Sequence, residues 1–276
     1  MKKRKTLRAI RPSAALGREY KKKLQALVTE MQRSVLWWIR AEYRRREGQI
    51  VGDAGPARSL AEELDAVMRG WQKEYDEAAR RIARWFVSAA ARHVGYAAKE
   101  AFRAAKVTKL MTVNFKYMSR RERDVLQSLI IENVSLIKSI PAQYLTEVQG
   151  IVQRSVQTGR DLGGMTEELQ NRYGITMRRA ATIALDQNNK ATESLSRARM
   201  LSLGVTEGVW QHYPIGKTYR DAHVHMDGEV FKLAEGLFDE HEGRNVQPGE
   251  LVNCHCSSKA IIPDFTKGVD SENAEG

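Results

Sequence analysis

Five of the chain's six histidines lie between His212 and His255, and its two cysteines, Cys254 and Cys256, fall at the end of the same stretch. Two short runs concentrate them: TYRDAHVHMDGEVF from Thr218 and PGELVNCHC from Pro248. His223, His225, Cys254 and Cys256 offer two imidazoles and two thiols, a donor set that suits tetrahedral zinc, so a structural zinc is one expectation. The single-residue spacing of each pair differs from that of the common zinc modules, which separate paired ligands by two or more residues. A catalytic reading would make His223 a general base beside Asp221 and Arg220, or Cys254 a thiolate activated by His255 or His223. The pattern holds no nucleophile elbow, and no catalytic residue is assigned; the chain is expected not to be an enzyme. In a third reading His223, Asp227 and Asn253 are polar groups that satisfy loop backbone.

These residues need elements to position them. A chain of 276 residues with 42% hydrophobic content can bury a real core. It has no apolar run of about 18 residues and no apolar leader after its charged N-terminus, so a cytoplasmic, membrane-free setting is expected. Two cysteines one residue apart do not make a disulfide scaffold, and reduced thiols are expected. Apolar residues from Leu24 to Tyr43 recur at helical steps and predict a helix over 20–47; Leu60 to Ala89 continue that period in a second helix reaching about Ala105. Residues 106–117 read as a short strand or a linker. Ser119 and Glu122 have the spacing of a capping box, which starts a third helix. Pro141 is expected to stop or kink it, Gly163-Gly164 to break the chain, Gly174 to end a short helix, and Thr176 to cap a long one ending at Gly204. Beyond Gly204 aromatic and β-branched residues scattered among Gly, Pro and Asp predict short strands and loops. The fold class is therefore α+β: a long, mostly helical region and then a small loop-rich module.

The net charge of +11 is localised. Residues 1–48 hold 15 Lys and Arg against 4 Asp and Glu, whereas the remaining residues balance at 30 against 30. Lys2, Lys3, Arg4, Lys5, Arg8 and Arg11 lead this segment and are the candidate nucleic-acid contacts, because clustered cations displace counterions from phosphate backbones. Residues 226–276 carry 11 acidic against 4 basic residues, so the chain is electrically polarised.

Several motifs stand in a definite order: RAATIALDQN from Arg179, containing Asp186 and Gln187; ARMLSLGV from Ala198; Trp210; GKTYRDAH from Gly216, with Arg220 and His223; Asp227-Gly228; Pro248-Gly249-Glu250; and Asn253-Cys254-His255-Cys256. This order resembles the Mu F-like family of phage minor head, or head morphogenesis, proteins over about residues 163–263. Gly216-Lys217-Thr218 stands where many relatives carry an acidic run, and His255 where arginine is usual. The resemblance implies a minor virion protein acting in head assembly and in DNA packaging or delivery near the portal. It implies the portal protein, the major capsid or scaffolding protein and packaged DNA as partners, with the virion and the host cytoplasm as locations. The corresponding division of the chain is a basic arm over 1–23, a helical region over 24–160, a head morphogenesis domain over 161–265 and an acidic, disordered tail over 266–276. Two other functions compete: a zinc-stabilised nucleic-acid-binding module, and an effector-type enzyme, for which the 13 residues after Pro263 leave no room.

Overall fold

The computed structural model describes residues 5–46, 55–107, 117–157, 162–214 and 220–263. The chain runs through four long helices, α1 (Ala14–Arg46), α2 (Gly55–Ala104), α3 (Arg120–Gln157) and α4 (Leu162–Ser202). A strand β1 (Glu207–Gln211), a short helix α5 (Asp221–His225) and strands β2 (Val230–Lys232), β3 (Leu237–Asp239), β4 (Arg244–Val246) and β5 (Ser257–Ala260) follow. This is the α+β class read from the sequence. No helix among the described residues is long and apolar enough to cross a membrane.

Several helix boundaries differ from the sequence reading, each for a local reason. Helix α1 starts at Ala14 rather than Tyr20, because the Ser13 hydroxyl accepts the Leu16 amide at 3.3 Å and caps the first turn. Helix α3 is not stopped at Pro141. Ile137, Ile140, Pro141, Tyr144, Leu145 and Val148 are all buried on one stripe, and that burial outweighs the backbone hydrogen bond that proline removes. Gly163, Gly164 and Gly174 all lie inside α4. A helical glycine costs about 1 kcal/mol relative to alanine, which burial of Met165, Leu169 and Ala180 along the same helix offsets. Thr176 does not cap a new helix; it is buried and donates its hydroxyl to the Arg172 carbonyl one turn back. The capping box forms as read: the Glu122 amide donates to the Ser119 hydroxyl at 3.1 Å and the Ser119 amide to Glu122 Oε2 at 2.8 Å. Helix α4 ends in a Schellman motif, with Gly204 at φ 78° and the Val205 amide donating to the Met200 carbonyl. The strand or linker expected over 106–117 lies mostly outside the described residues.

Packing divides the chain into two compact units, each drawing on α2, α3 and α4. One comprises Gly17–Phe86 and Ile130–Leu185 and is helical. Its core takes Tyr20, Leu24, Val28, Met31, Val35 and Ile39 from α1, a stripe with steps of three and four, against buried residues of α2, α3 and α4. Tyr20 stacks on Phe86 with ring centroids 4.1 Å apart and donates its hydroxyl to Asn133 Oδ1 at 2.8 Å.

The other unit comprises residues 1–16, 87–129 and 186–276 and contains every strand. Its antiparallel sheet has the order β2-β1-β5, with Gly208 opposite Phe231 and Ala260, and Trp210 opposite Ser258. Strands β3 and β4 form a separate antiparallel pair. The segment before α1 closes the free edge of β5: the Leu7 amide donates to the Ala260 carbonyl at 2.8 Å and the Ile262 amide to the Lys5 carbonyl at 2.9 Å. Leu7 and Ile10 are buried there, so this part of the basic arm belongs to the fold.

Candidate functional site

The site is organised by the second half of α4. From Gln187 to Arg199 this helix buries Gln187, Asn188, Asn189, Thr192, Glu193, Ser196 and Arg199, a polar set that must find partners. Several partners lie in irregular segments that strands alone do not hold. Asp186 Oδ1 accepts the Asn253 amide at 2.7 Å, Asn189 donates to the Cys254 carbonyl, and Asn188 donates to the Ser13 carbonyl at 3.1 Å. Glu193 Oε2 accepts the Ser258 amide at 3.2 Å. Asn253 takes φ 59°, a left-handed conformation that asparagine tolerates better than most residues. Gly249 at φ 73° lies so close to α4 that a Cβ there would stand 3.0 Å from Asn189 and from Glu193. The Asp186-Gln187 motif and the Pro248 to Cys256 motif thus meet: one is the bracket and the other is the turn it holds.

Three segments then converge on one point. Cys254 and Cys256 lead into β5, both buried, with half-buried His255 between them. Helix α5 presents His223, and the end of β1 leads into His212. His223 Nδ1 stands 3.4 Å from Cys254 Sγ and 3.6 Å from Cys256 Sγ, and His212 Nδ1 stands 3.5 Å from Cys256 Sγ. His223, Cys254 and Cys256 are 2%, 4% and 2% exposed, so bulk water does not reach them. The other imidazole nitrogen of His223 faces Asp239 Oδ2 at 3.2 Å. Asp239 is held in turn by the amides of His241 and Glu242, which donate to its Oδ1 at 2.9 and 3.3 Å. Fully buried Trp210 lies against this cluster, edge-on to His223 with centroids 5.3 Å apart and to Phe231 at 5.8 Å.

The remaining motif residues are scaffold. Asp227 Oδ1 accepts the His212 amide at 2.8 Å, Gly228 at φ 84° donates its amide to the Trp210 carbonyl, and Arg220 donates to the Val252 carbonyl at 3.2 Å. Pro248 is buried beside Gly249. His225 is exposed and stands outside the cluster of His223, Cys254 and Cys256. The reason is the backbone: on a strand, residues two apart share a face, but α5 turns them roughly 200° apart. Sequence reasoning did not single out His212, Asp239, Asn189 or Glu193. His212 was visible only as a member of the histidine-rich stretch, and Asp239, an aspartate in an acidic region, gave no signal.

The electrostatics follow from the contacts. The hydrogen bond from Cys256 holds the Cys254 thiol down to about 4 against its burial, with His223 assisting, and the same contact together with burial pushes Cys256 up. Burial works to raise the Asp239 carboxyl, but the Glu242 and His241 amides and His223 outweigh it and hold Asp239 below the usual carboxylate range. Cys254, His223 and Asp239 therefore stand in the order thiol, imidazole, carboxylate. A nucleophile needs a substrate beside it, and here the thiol is closed off and a second thiol shares its imidazole nitrogen.

Burial pushes the Glu193 carboxyl well above its usual range, more than Ser258 and Arg197 pull it down. The folded state then keeps this proton to higher pH than the unfolded chain. Its contribution is complete below the unfolded value of about 4.3 and is lost as pH rises through the raised folded value. The melting temperature of the wild type should therefore fall relative to that of Glu193→Gln as pH is raised from about 5 to about 9. Parallel melting curves across that range would contradict the assignment.

Of the six candidate nucleic-acid contacts, Lys2, Lys3 and Arg4 lie outside the described residues. Lys5 is exposed and donates to the Ala105 carbonyl at 2.9 Å, and Arg8 is exposed. Arg11 donates to the Tyr213 hydroxyl at 2.9 Å with its guanidinium 4.4 Å from that ring's centroid.

Comparison with known proteins finds a family similarity over the segment that holds the site. Residues 146–259 match the profile of the family described as phage Mu protein F like protein. An uncharacterized protein of Haemophilus influenzae is 28% identical over 137 residues, which is 50% of this chain and 29% of the relative's length. No solved structure matches the chain. The matched segment contains every residue of the motif from Asp186 to Cys256, so over residues 146–259 the chain is similar to the phage Mu F-like family.

Proposed function

We propose that this chain is a phage head morphogenesis protein, a minor component of the particle that acts in capsid assembly and in packaging or delivery of DNA. The observation that carries the reading is the Mu F-like match over residues 146–259, within which the motif residues build one bracketed turn around a buried His-Cys cluster. In this reading the protein joins the portal protein and the major capsid or scaffolding protein, with its basic front toward packaged DNA. Charge supports that orientation: the cationic excess lies in residues 1–48, whereas 226–276 is acidic and would be repelled by phosphate.

Quantitative peptide analysis of purified procapsids and mature particles tests the proposal. The protein should be present in one or both, at far fewer copies than the major capsid protein; absence from both would end this reading. The interaction with DNA has its own test, and deletion of the arm is the wrong one, since it would remove Leu7, Ile10 and Tyr20 from the core. Changing Lys2, Lys3, Arg4 and Arg8 to glutamine leaves those side chains in place. It should flatten the salt dependence of DNA binding by about 0.9 in log-log slope for each phosphate that is no longer neutralised. An unchanged slope would place the DNA-binding surface elsewhere.

A further inference from the structure

From the geometry we infer that the buried cluster is a structural zinc site whose four ligands are His212, His223, Cys254 and Cys256, with Asp239 orienting His223 from behind. The inference is independent of the proposed role in head assembly.

The distances fit the shape of a zinc site. With Zn–S near 2.3 Å and Zn–N near 2.0–2.1 Å, a tetrahedral centre separates a sulfur from a nitrogen ligand by about 3.5 Å. Three of the four sulfur-to-nitrogen separations here are 3.4, 3.5 and 3.6 Å. The donor atoms of His223, Cys254 and Cys256 all lie within 4.8 Å of one another, and all three residues are buried; His212 stands outside that group but has its Nδ1 3.5 Å from Cys256 Sγ, so a turn of its ring brings it in as the fourth ligand. Both thiols face the same imidazole nitrogen, which has one lone pair. Hydrogen bonding can use that lone pair for one thiol, whereas a metal at the centre of the polyhedron uses both sulfurs and the nitrogen together.

The surroundings fit as well. His223 turns Nδ1 to the sulfurs, so its proton lies on Nε2, which stands 3.2 Å from Asp239 Oδ2. A carboxylate behind a ligating histidine fixes the tautomer and strengthens the ligand. Asp239 is itself fixed by two backbone amides, and the His212 backbone by Asp227. The ligands come from the end of β1, from α5 and from the turn before β5, in a module where three of the five strands have only three residues. A metal crosslink between three such segments supplies order that so little regular structure does not.

Purified full-length protein, never exposed to chelator, should contain about one equivalent of zinc by elemental analysis. Cobalt taken up in its place should show tetrahedral visible bands and thiolate-to-cobalt charge transfer, and the metal should protect Cys254 and Cys256 from iodoacetamide. His212→Ala should weaken zinc binding in competition with a chromophoric chelator and alter the cobalt bands, whereas His225→Ala should change neither. Asp239→Asn should weaken binding by about 10- to 100-fold with the cobalt spectrum still tetrahedral. If wild-type protein holds less than about a tenth of an equivalent and takes up none from added zinc sulfate, the site does not bind zinc. Full retention of affinity in His212→Ala, or loss of it in His225→Ala, would overturn the ligand set. Because the first measurement uses the wild type alone, a variant that fails to fold does not shield the inference.

Discussion

Trp210→Ala should destabilise the protein by about 3–5 kcal/mol, the range for truncating a large aromatic in a packed core. Trp210 is fully buried in the central strand of the three-stranded sheet, with His223 and Phe231 edge-on to its ring. Its backbone bonds, the amide donating to the Glu229 carbonyl at 2.9 Å and the carbonyl accepting from Gly228 at 3.0 Å, do not need the side chain. The loss is therefore one of packing, and the cavity opens beside His223, where collapse would pull α5 toward β1. Trp210→Phe keeps most of the buried ring and should lose less than half as much. Urea denaturation followed by circular dichroism checks this, and a shift below about 1 kcal/mol for the alanine variant would show that the site repacks without the indole.

The long helices were legible because a solvent-facing helix repeats its apolar residues with the helical period, as Leu24, Val28, Met31, Val35 and Ile39 do. The capping box was legible because Ser119 and Glu122 satisfy each other's amides without outside help. Gly174, and Pro141 read as a stop, misled for the opposite reason: local chemistry argues for a break, while neighbours distant in sequence bury the stripe on both sides. The same limit applies to the site. His223, Cys254 and Cys256 were readable as chemistry, but choosing their companion required knowing that residues 221–225 form a turn of helix, which turns His225 outward. Asp239 and His212 reach the cluster only through the tertiary fold. The polar half of α4 shows why the Asp186-Gln187 motif and the Cys-x-Cys motif, about seventy residues apart, belong to one structure: Asp186 accepts the Asn253 amide, and Asn189, just beyond the motif, donates to the Cys254 carbonyl.

The other large effect concerns the pair Glu122 and Arg199. Glu122 Oε1 and Arg199 Nη1 are 2.9 Å apart with both side chains less than a tenth exposed, and Arg199 also donates to the Tyr117 carbonyl at 3.1 Å. Two buried charges this close are expensive to separate: removing one leaves the other in a medium that solvates it poorly, at a cost of about 3–5 kcal/mol. Glu122→Ala should therefore lose about that much, plus about 1 kcal/mol for the half of the capping box that Glu122 supplies. Ser119→Ala removes the other half and should cost only about 1 kcal/mol, which separates capping from charge. Arg199→Met should be comparably severe, because it strands the carboxylate. The double variant, Glu122→Ala with Arg199→Met, removes both charges and leaves an apolar side chain along α4, so its loss should fall well short of the sum of the two single losses. A double-mutant cycle by denaturant unfolding measures the difference, with coupling above about 1 kcal/mol expected for a buried pair. Additive losses would show that Glu122 and Arg199 act separately, Glu122 through the cap and Arg199 through Tyr117.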